Sequence, residues 1–235
     1  MANASHELRT PLSVISGFVE TLQTSAQKDK KAQQKFLKII AEQTEYMSAL
    51  IENLLSLSKI ELNQDKQPED KINIDEIVDE VANSMMIKAQ NNNMKLVIIK
   101  PDDLACVIGD YNQIKQVVQN LTDNAIKYGS PYNDITIKIA NIEKIPQSKT
   151  IQASDGKGVA ISINNKGPKI QPENLARLTE RFYRLQEHKN QNIKGTGLGL
   201  AIIKHIVIRH KGNITVTSND HEGTTFTVYL PVFTN

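Results

Sequence analysis

A histidine, a glutamate and a threonine stand close together near the start of the chain, in Ser5-His6-Glu7-Leu8-Arg9-Thr10-Pro11-Leu12. An exposed imidazole with one unprotonated nitrogen can attack a phosphoryl group. A neighbouring carboxylate such as Glu7 can hold the other N–H and stabilise the cation that develops. Thr10 lies one helical turn beyond and can position a water. Taken alone, each of these has a plainer reading as a hydrated surface side chain. A second group, Asn120, Asn124 and Lys127, falls on one face of a helical pattern. Asparagine is a poor helix former, so two of them on one face invite a reason. Their amide oxygens could ligate Mg²⁺ beside a cation for phosphate, and the plainer reading is again a wet surface. The third feature is Lys194-Gly195-Thr196-Gly197-Leu198-Gly199-Leu200, which runs into an apolar helix. Such glycines let backbone N–H groups close on an anion at a helix N-terminus, although a flexible loop capping a helix looks the same. A long polar stretch precedes it rather than a strand, which argues against a dinucleotide-binding turn.

These groups need elements to hold them. Leu8, Leu12, Ile15, Val19 and Leu22 recur at heptad spacing and predict an amphipathic helix over about Ser5–Thr24, with Leu12 and Val19 at a and Leu8, Ile15 and Leu22 at d. In that register His6 takes position b, on the outer face, and Pro11 bends the helix beside it. Residues 25–34 are polar and read as a loop. A second helix carries Phe36, Ile40, Met47, Leu50, Leu54 and Leu57. Two helices cannot bury both stripes, so the antiparallel hairpin is expected to pair with a second copy through residues 5–62 as a four-helix bundle homodimer. The polar run 63–70 contains Pro68 and divides the chain into expected domains 1–64 and 65–235. Beyond it, helices are predicted at 75–90, 110–128 and 198–211. Asp110 and Gln113 would form a capping box on the second, and Gly212 would stop the third. Strands are predicted at 95–100, 106–108, 134–142, 158–164, 214–218 and 225–230. The class is therefore α+β: a helical hairpin, then a two-layer α/β sandwich with helices on one face of a mixed sheet.

The bulk numbers agree with a globular protein. The chain has 235 residues, 39% of them hydrophobic, and a net charge of +2 that gives no broad footprint for nucleic acid. No apolar run approaches the roughly 20 residues of a membrane span, so a cytoplasmic piece is expected. Met1–Ser5 is too short to complete the first helix, and any membrane anchor would lie in missing N-terminal sequence. Cys106 is the only cysteine and reads as a buried strand residue with a packing role.

Residues 5–12 resemble the H-box of the sensor histidine kinases of two-component systems. Asn120-Leu121-Thr122-Asp123-Asn124-Ala125-Ile126-Lys127-Tyr128 resembles the N-box of the ATP-binding fold shared by histidine kinases, Hsp90, gyrase and MutL, the GHKL or Bergerat fold. The glycine turn resembles the G2 box, and Arg181-Phe182-Tyr183-Arg184 the F-box region. The resemblance implies ATP-dependent phosphorylation of His6, with Glu7 as acid/base partner and Thr10 assisting dephosphorylation. It implies a response-regulator receiver domain as partner, to which the phosphoryl group passes. It also implies that Asn124 holds Mg²⁺ with Asn120 near the metal, that Lys127 and Arg184 contact phosphate, and that Tyr128 lies near the adenine. Gly195, Thr196, Gly197, Leu198 and Gly199 would cradle the nucleotide, and residues 185–196 would form a lid over it.

One stretch departs from the pattern. The G1 box of the family reads Asp-x-Gly-x-Gly, where this chain has Asn165-Lys166-Gly167-Pro168-Lys169. Gly167 is kept. Asn165 retains an acceptor for the adenine amino group but loses the charge, which roughly halves such a hydrogen bond. Two outcomes stay open: an active kinase with altered nucleotide affinity, or a phosphatase-dominant scaffold that binds ATP weakly. The other boxes favour the first. A stand-alone ATPase is a third possibility, against which the hairpin with its exposed histidine argues.

Overall fold

The computed structural model describes residues 2–27, 29–64, 66–148, 151, 153–186, 193 and 195–233. Helix α1 (Ala2–Gln23) and helix α2 (Lys30–Leu62) form the hairpin. They run antiparallel, because Phe18 stacks on Phe36 near the turn while Glu7 meets Tyr46 farther along. The connection is shorter than the polar composition of residues 25–34 suggests. The Asp29 carboxylate accepts from the backbone N–H groups of Lys31 and Ala32, each at 3.0 Å, and so starts α2 at Lys30.

The remaining elements are β1 (Lys71–Ile72), α3 (Ile74–Asn91), β2 (Leu96–Ile99), β3 (Val107–Ile108), α4 (Tyr111–Tyr128), β4 (Ile135–Ile142), β5 (Gly158–Asn165), α5 (Pro172–Leu175), α6 (Gly199–Arg209), β6 (Asn213–Asn219) and β7 (Gly223–Pro231). The main sheet has the order β2-β4-β5-β7-β6; β2 and β4 are parallel and the other pairs antiparallel. Alternation decides its faces. Ile135, Ile137 and Ile139 of β4, Val159, Ile161 and Ile163 of β5, and Phe226, Val228 and Leu230 of β7 point inward and are buried. They form one core with Val117, Val118 and Leu121 of α4 and Ile202, Ile203 and Ile206 of α6. The alternate residues give a polar outer face, on which the Ser162 and Thr227 hydroxyls lie 3.0 Å apart. Among the described residues, no helix is long and apolar enough to cross a membrane.

Two sequence expectations change. Leu50 and Leu57 of the α2 heptad pattern do not face a partner seam. With Ile60 they are buried in the same cluster as the sandwich core. A heptad marks an apolar stripe but not which neighbour covers it. Polar contacts complete this docking: Arg181 and His205 reach Glu61, the latter at 3.2 Å, and Arg209 Nε donates to the carbonyls of Asn63 (3.1 Å) and Lys66 (2.9 Å). Cys106 is half-buried rather than buried, its thiol 2.8 Å from Asn73 Oδ1, just ahead of β3.

Candidate nucleotide and phosphoacceptor site

His6 is exposed on α1, as its b position requires, and Thr10 is exposed one turn later. The Thr10 hydroxyl donates to the His6 carbonyl at 3.2 Å, a back-bond typical of threonine inside a helix. Pro11 sits inside the helix and cannot donate to the carbonyl of Glu7. Glu7 is half-buried, and the Tyr46 hydroxyl of α2 donates to its Oε2 at 3.4 Å.

Helix α4 carries the asparagine face. Asp110 caps it, its carboxylate accepting from the Gln113 N–H at 3.1 Å. The reciprocal half of the expected capping box is not formed. The Asp110 N–H donates instead to Nε2 of His210 at 3.0 Å, and Gln113 Oε1 is buried without a partner. His210 Nδ1 lies 2.7 Å from the Ile206 carbonyl, so the ring is held as the Nδ1–H tautomer, and burial pushes its pKa down. The buried stripe Ile114, Val117, Val118, Leu121 and Ala125 packs in the core and turns the adjacent face towards a cavity of ≈ 370 Å³. Asn120, Asn124, Lys127 and Tyr128 line that cavity, as do Asn165 and Arg184.

The glycine turn closes another side. Gly195, Thr196, Gly197 and Gly199 line the cavity. Gly197 has φ +70°, and a Cβ there would lie 2.8 Å from the Phe182 backbone, so only glycine fits. Phe182 itself adopts φ 63° and donates its N–H to the Gly197 carbonyl at 2.9 Å, which fastens the F-box segment to the turn. Leu198 and Gly167 do not line the cavity. Leu198 is fully buried in the core, and Gly167 sits where a Cβ would be 2.7 Å from the Tyr128 carbonyl. Lys169 turns away to Asp220, 3.8 Å distant, rather than towards the cavity. Asn165 is 6% exposed and its Nδ2 donates to the Lys166 carbonyl at 3.4 Å, which leaves the side-chain oxygen as the acceptor. Arg184 donates to the Ile193 carbonyl. Most of the expected lid, residues 187–192 and Lys194, lies outside the described residues. At the far end of α6 the left-handed residue is Lys211 (φ 49°), not Gly212. Gly212 is required for another reason: a Cβ there would meet the Tyr229 carbonyl at 2.2 Å.

Two sets of lining residues escape the sequence patterns. Asp123 pairs with Lys127 and with Lys88 of α3. Burial pushes the Asp123 carboxyl up, but the two lysines outweigh it and hold it below its ordinary value. The i,i+4 spacing of Asp123 and Lys127 is the signal that could have exposed this pair. The second set is a wall supplied by α2: Glu42, Glu45, Tyr46, Ala49 and Asn53. Asn53 Nδ2 donates to Thr196 Oγ1 at 3.3 Å and ties the glycine turn to that helix. No local pattern on α2 announces this face, because the sandwich alone defines it.

The donors suit a hard cation bound to an anion. Asn120 and Asn124 line the cavity from one helix face and carry amide oxygens of the kind that ligate magnesium.

Residues 109–234 match the family described as Histidine kinase-, DNA gyrase B-, and HSP90-like ATPase. The chain belongs to that family. Residues 1–63 match the His Kinase A (phospho-acceptor) domain, so the two halves together are those of a sensor histidine kinase. The phosphate regulon sensor protein PhoR of Pseudomonas aeruginosa is 31% identical over 98% of this chain and 49% of its own length. Across eight curated relatives, the histidine kinase chain spans between 34% and 57% of their lengths. The fold is that of the Acinetobacter baumannii histidine kinase AdeS (TM-score 0.72, 23% identity, covering 97% of this chain and 98% of that one). It is also that of histidine kinase ThkA, solved in complex with the response regulator protein TrrA (TM-score 0.70, 23% identity, covering 99% of this chain and 60% of that one). The exposed histidine of α1 therefore lies in a phosphoacceptor-type domain, and the cavity beside α4 lies in an ATPase-type domain.

Proposed function

We propose that this chain binds ATP–Mg²⁺ in the cavity between α4, the glycine turn and α2, transfers the γ-phosphoryl group to His6, and passes it to an aspartate of a response-regulator receiver domain. The observation that carries the reading is the pairing of an exposed imidazole on a helical hairpin with a cavity lined by Asn120, Asn124, Lys127 and the glycine turn in the same chain. The lone pair of an imidazole nitrogen attacks the γ-phosphorus as the bond to the leaving ADP oxygen breaks. The proton on the other nitrogen is held by Glu7. Lys127 and Arg184 face the phosphates as cations. Tyr128 and the side-chain oxygen of Asn165 lie towards the base. Asn124, with Asn120 beside it, would hold Mg²⁺, which when bound neutralises charge on the phosphates. Most of the rate then comes from positioning and charge compensation. Thr10 assists the opposing reaction, in which a water it orients attacks the regulator's phosphoaspartate and releases inorganic phosphate and the free carboxylate.

The chain works as a homodimer through residues 5–62, and its relatives' greater length suggests a sensor segment attached outside it. A cytoplasmic location fits a reaction that consumes ATP, and any membrane anchor belongs to that outside segment. The phosphatase-dominant scaffold is not favoured, since the H-box, N-box and G2 box are all present and Asn165 keeps an acceptor in the cavity. The test is incubation with γ-labelled ATP, followed by acid and base treatment of the labelled protein. Acid-labile, base-stable label is expected in the wild type and none in His6→Gln. Label that persists in the variant removes His6 from the reaction.

A further inference from the structure

The α2 wall carries a residue that touches both halves of the chemistry. Tyr46 lines the nucleotide cavity, and its hydroxyl donates to Glu7 Oε2 at 3.4 Å, next to His6 on the neighbouring helix. It belongs to a stripe on α2 that also includes Glu42, Ala49 and Asn53, spaced so that all four face the sandwich. Asn53 anchors that stripe to Thr196 of the glycine turn. The stripe is thus fixed to the nucleotide side at one point and to the phosphoacceptor helix at another.

We propose that Tyr46 is a positioning residue for phosphoryl transfer. Its hydroxyl holds Oε2 of Glu7 and so limits the rotamers from which the carboxylate can take up the proton of His6, while its ring forms part of the cavity wall. The inference rests on the proposed roles of His6 as phosphoacceptor and Glu7 as proton acceptor. Glu7 is a flexible side chain on a helix surface, and without a partner it would sample several rotamers at a cost in productive geometry. A phenol is suited to this task because it donates one directional hydrogen bond from a rigid ring that can pack in a cavity wall. Burial raises the Tyr46 pKa and the Glu7 carboxylate adds to it, against an opposing pull from Arg184, so the hydroxyl keeps its proton at neutral pH. Tyr46 acts through Glu7 and touches no reacting atom itself.

A double-mutant cycle tests this with the whole chain. Tyr46→Phe, Glu7→Gln and the double variant are compared in single-turnover formation of phosphohistidine at saturating ATP, and nucleotide affinity is measured by titration with a non-hydrolysable ATP analogue. Tyr46→Phe keeps the ring, so it should bind the analogue within about twofold of the wild type while its rate falls about five- to tenfold, the scale of one hydrogen bond. In the Glu7→Gln background the same substitution should change the rate by less than about twofold, because the group it positions is gone. An equal loss in both backgrounds overturns the inference, as does an unchanged rate or a loss confined to affinity. Thermal melting separates misfolding, and a Tyr46→Leu variant that loses both ring and hydroxyl should lose affinity as well. If Glu7→Gln itself leaves the rate unchanged while His6→Gln abolishes labelling, the role of Glu7 fails and this inference falls with it, with His6 untouched. Label retained in His6→Gln identifies failure of the functional reading instead.

Discussion

Helices α1 and α4 are both amphipathic, yet their apolar stripes meet different fates. On α4 every member of the stripe, Ile114, Val117, Val118, Leu121 and Ala125, is buried against the sheet of the same chain. On α1 the two a positions, Leu12 and Val19, remain 53% and 38% exposed, and Leu37, Ile51 and Leu55 of α2 are exposed with them. The sandwich closes on itself and the hairpin does not. In the proposed reading the nucleotide site is built on the closed half, where core packing fixes Asn120 and Asn124, and the phosphoacceptor stands on the open half, where part of the apolar stripe is left for a second copy to cover.

This contrast can be broken at several points. The largest effect is expected in the core: Ile137→Ala, at a fully buried β4 position, should cost about 2–5 kcal/mol in chemical unfolding of the sandwich. The matched change Leu12→Ala should leave the sandwich transition in place and weaken self-association, read by light scattering across a dilution series. Equal destabilisation by both would mean that the hairpin, too, is closed within one chain. Next, Asn124→Ala should weaken Mg²⁺-dependent binding of an ATP analogue by about 10- to 100-fold, the usual scale for lost metal support, with dimerisation unaffected. A smaller change is expected in the opposite direction. Asn165→Asp restores a charged acceptor in the cavity and should tighten analogue binding about fivefold, as expected for one hydrogen bond gaining charge assistance. Weaker binding would show that the adenine amino group does not meet this side chain.

The smallest expected effect concerns acid. His210 is buried with a depressed pKa and accepts the backbone N–H of Asp110, the residue whose side chain caps α4, and burial depresses the pKa of His205 as well. A histidine whose folded pKa lies below its unfolded value of about 6.5 contributes stability that is complete above that pH and is lost as pH falls through the folded value. The sandwich should therefore melt at a lower temperature at pH 5 than at pH 7.5. The difference should shrink in His210→Gln, which retains an acceptor but cannot be protonated in this range. An unchanged pH dependence in that variant would assign the acid sensitivity to other groups.

Much of the fold was legible because its signals are local. Heptad spacing marks both hairpin helices and puts His6 outward; alternation marks β4, β5 and β7; Asp110 caps α4. The misses share a cause. The strand at β3 is expected from the sequence, but its two-residue partner β1 carries no alternation and gives no sign of itself. The capping box failed because His210, a hundred positions away in sequence, supplied the acceptor for the Asp110 N–H. Leu198 and Gly167 belong to boxes whose other members line the cavity, yet one packs in the core and the other against the Tyr128 backbone.

Residue type and spacing alone determined that an imidazole would face outward on an amphipathic stem, that two asparagines and a lysine would share one side of a capped helix, and that a glycine turn would open the next helix, because periodicity and backbone freedom act over a few residues. Only the tertiary structure decided that Leu50 and Leu57 turn towards the sandwich, that Lys88 of α3 reaches Asp123, and that Tyr46 stands between the cavity and Glu7. Those outcomes depend on which surfaces meet once apolar area is buried, and burial is a property of the whole chain.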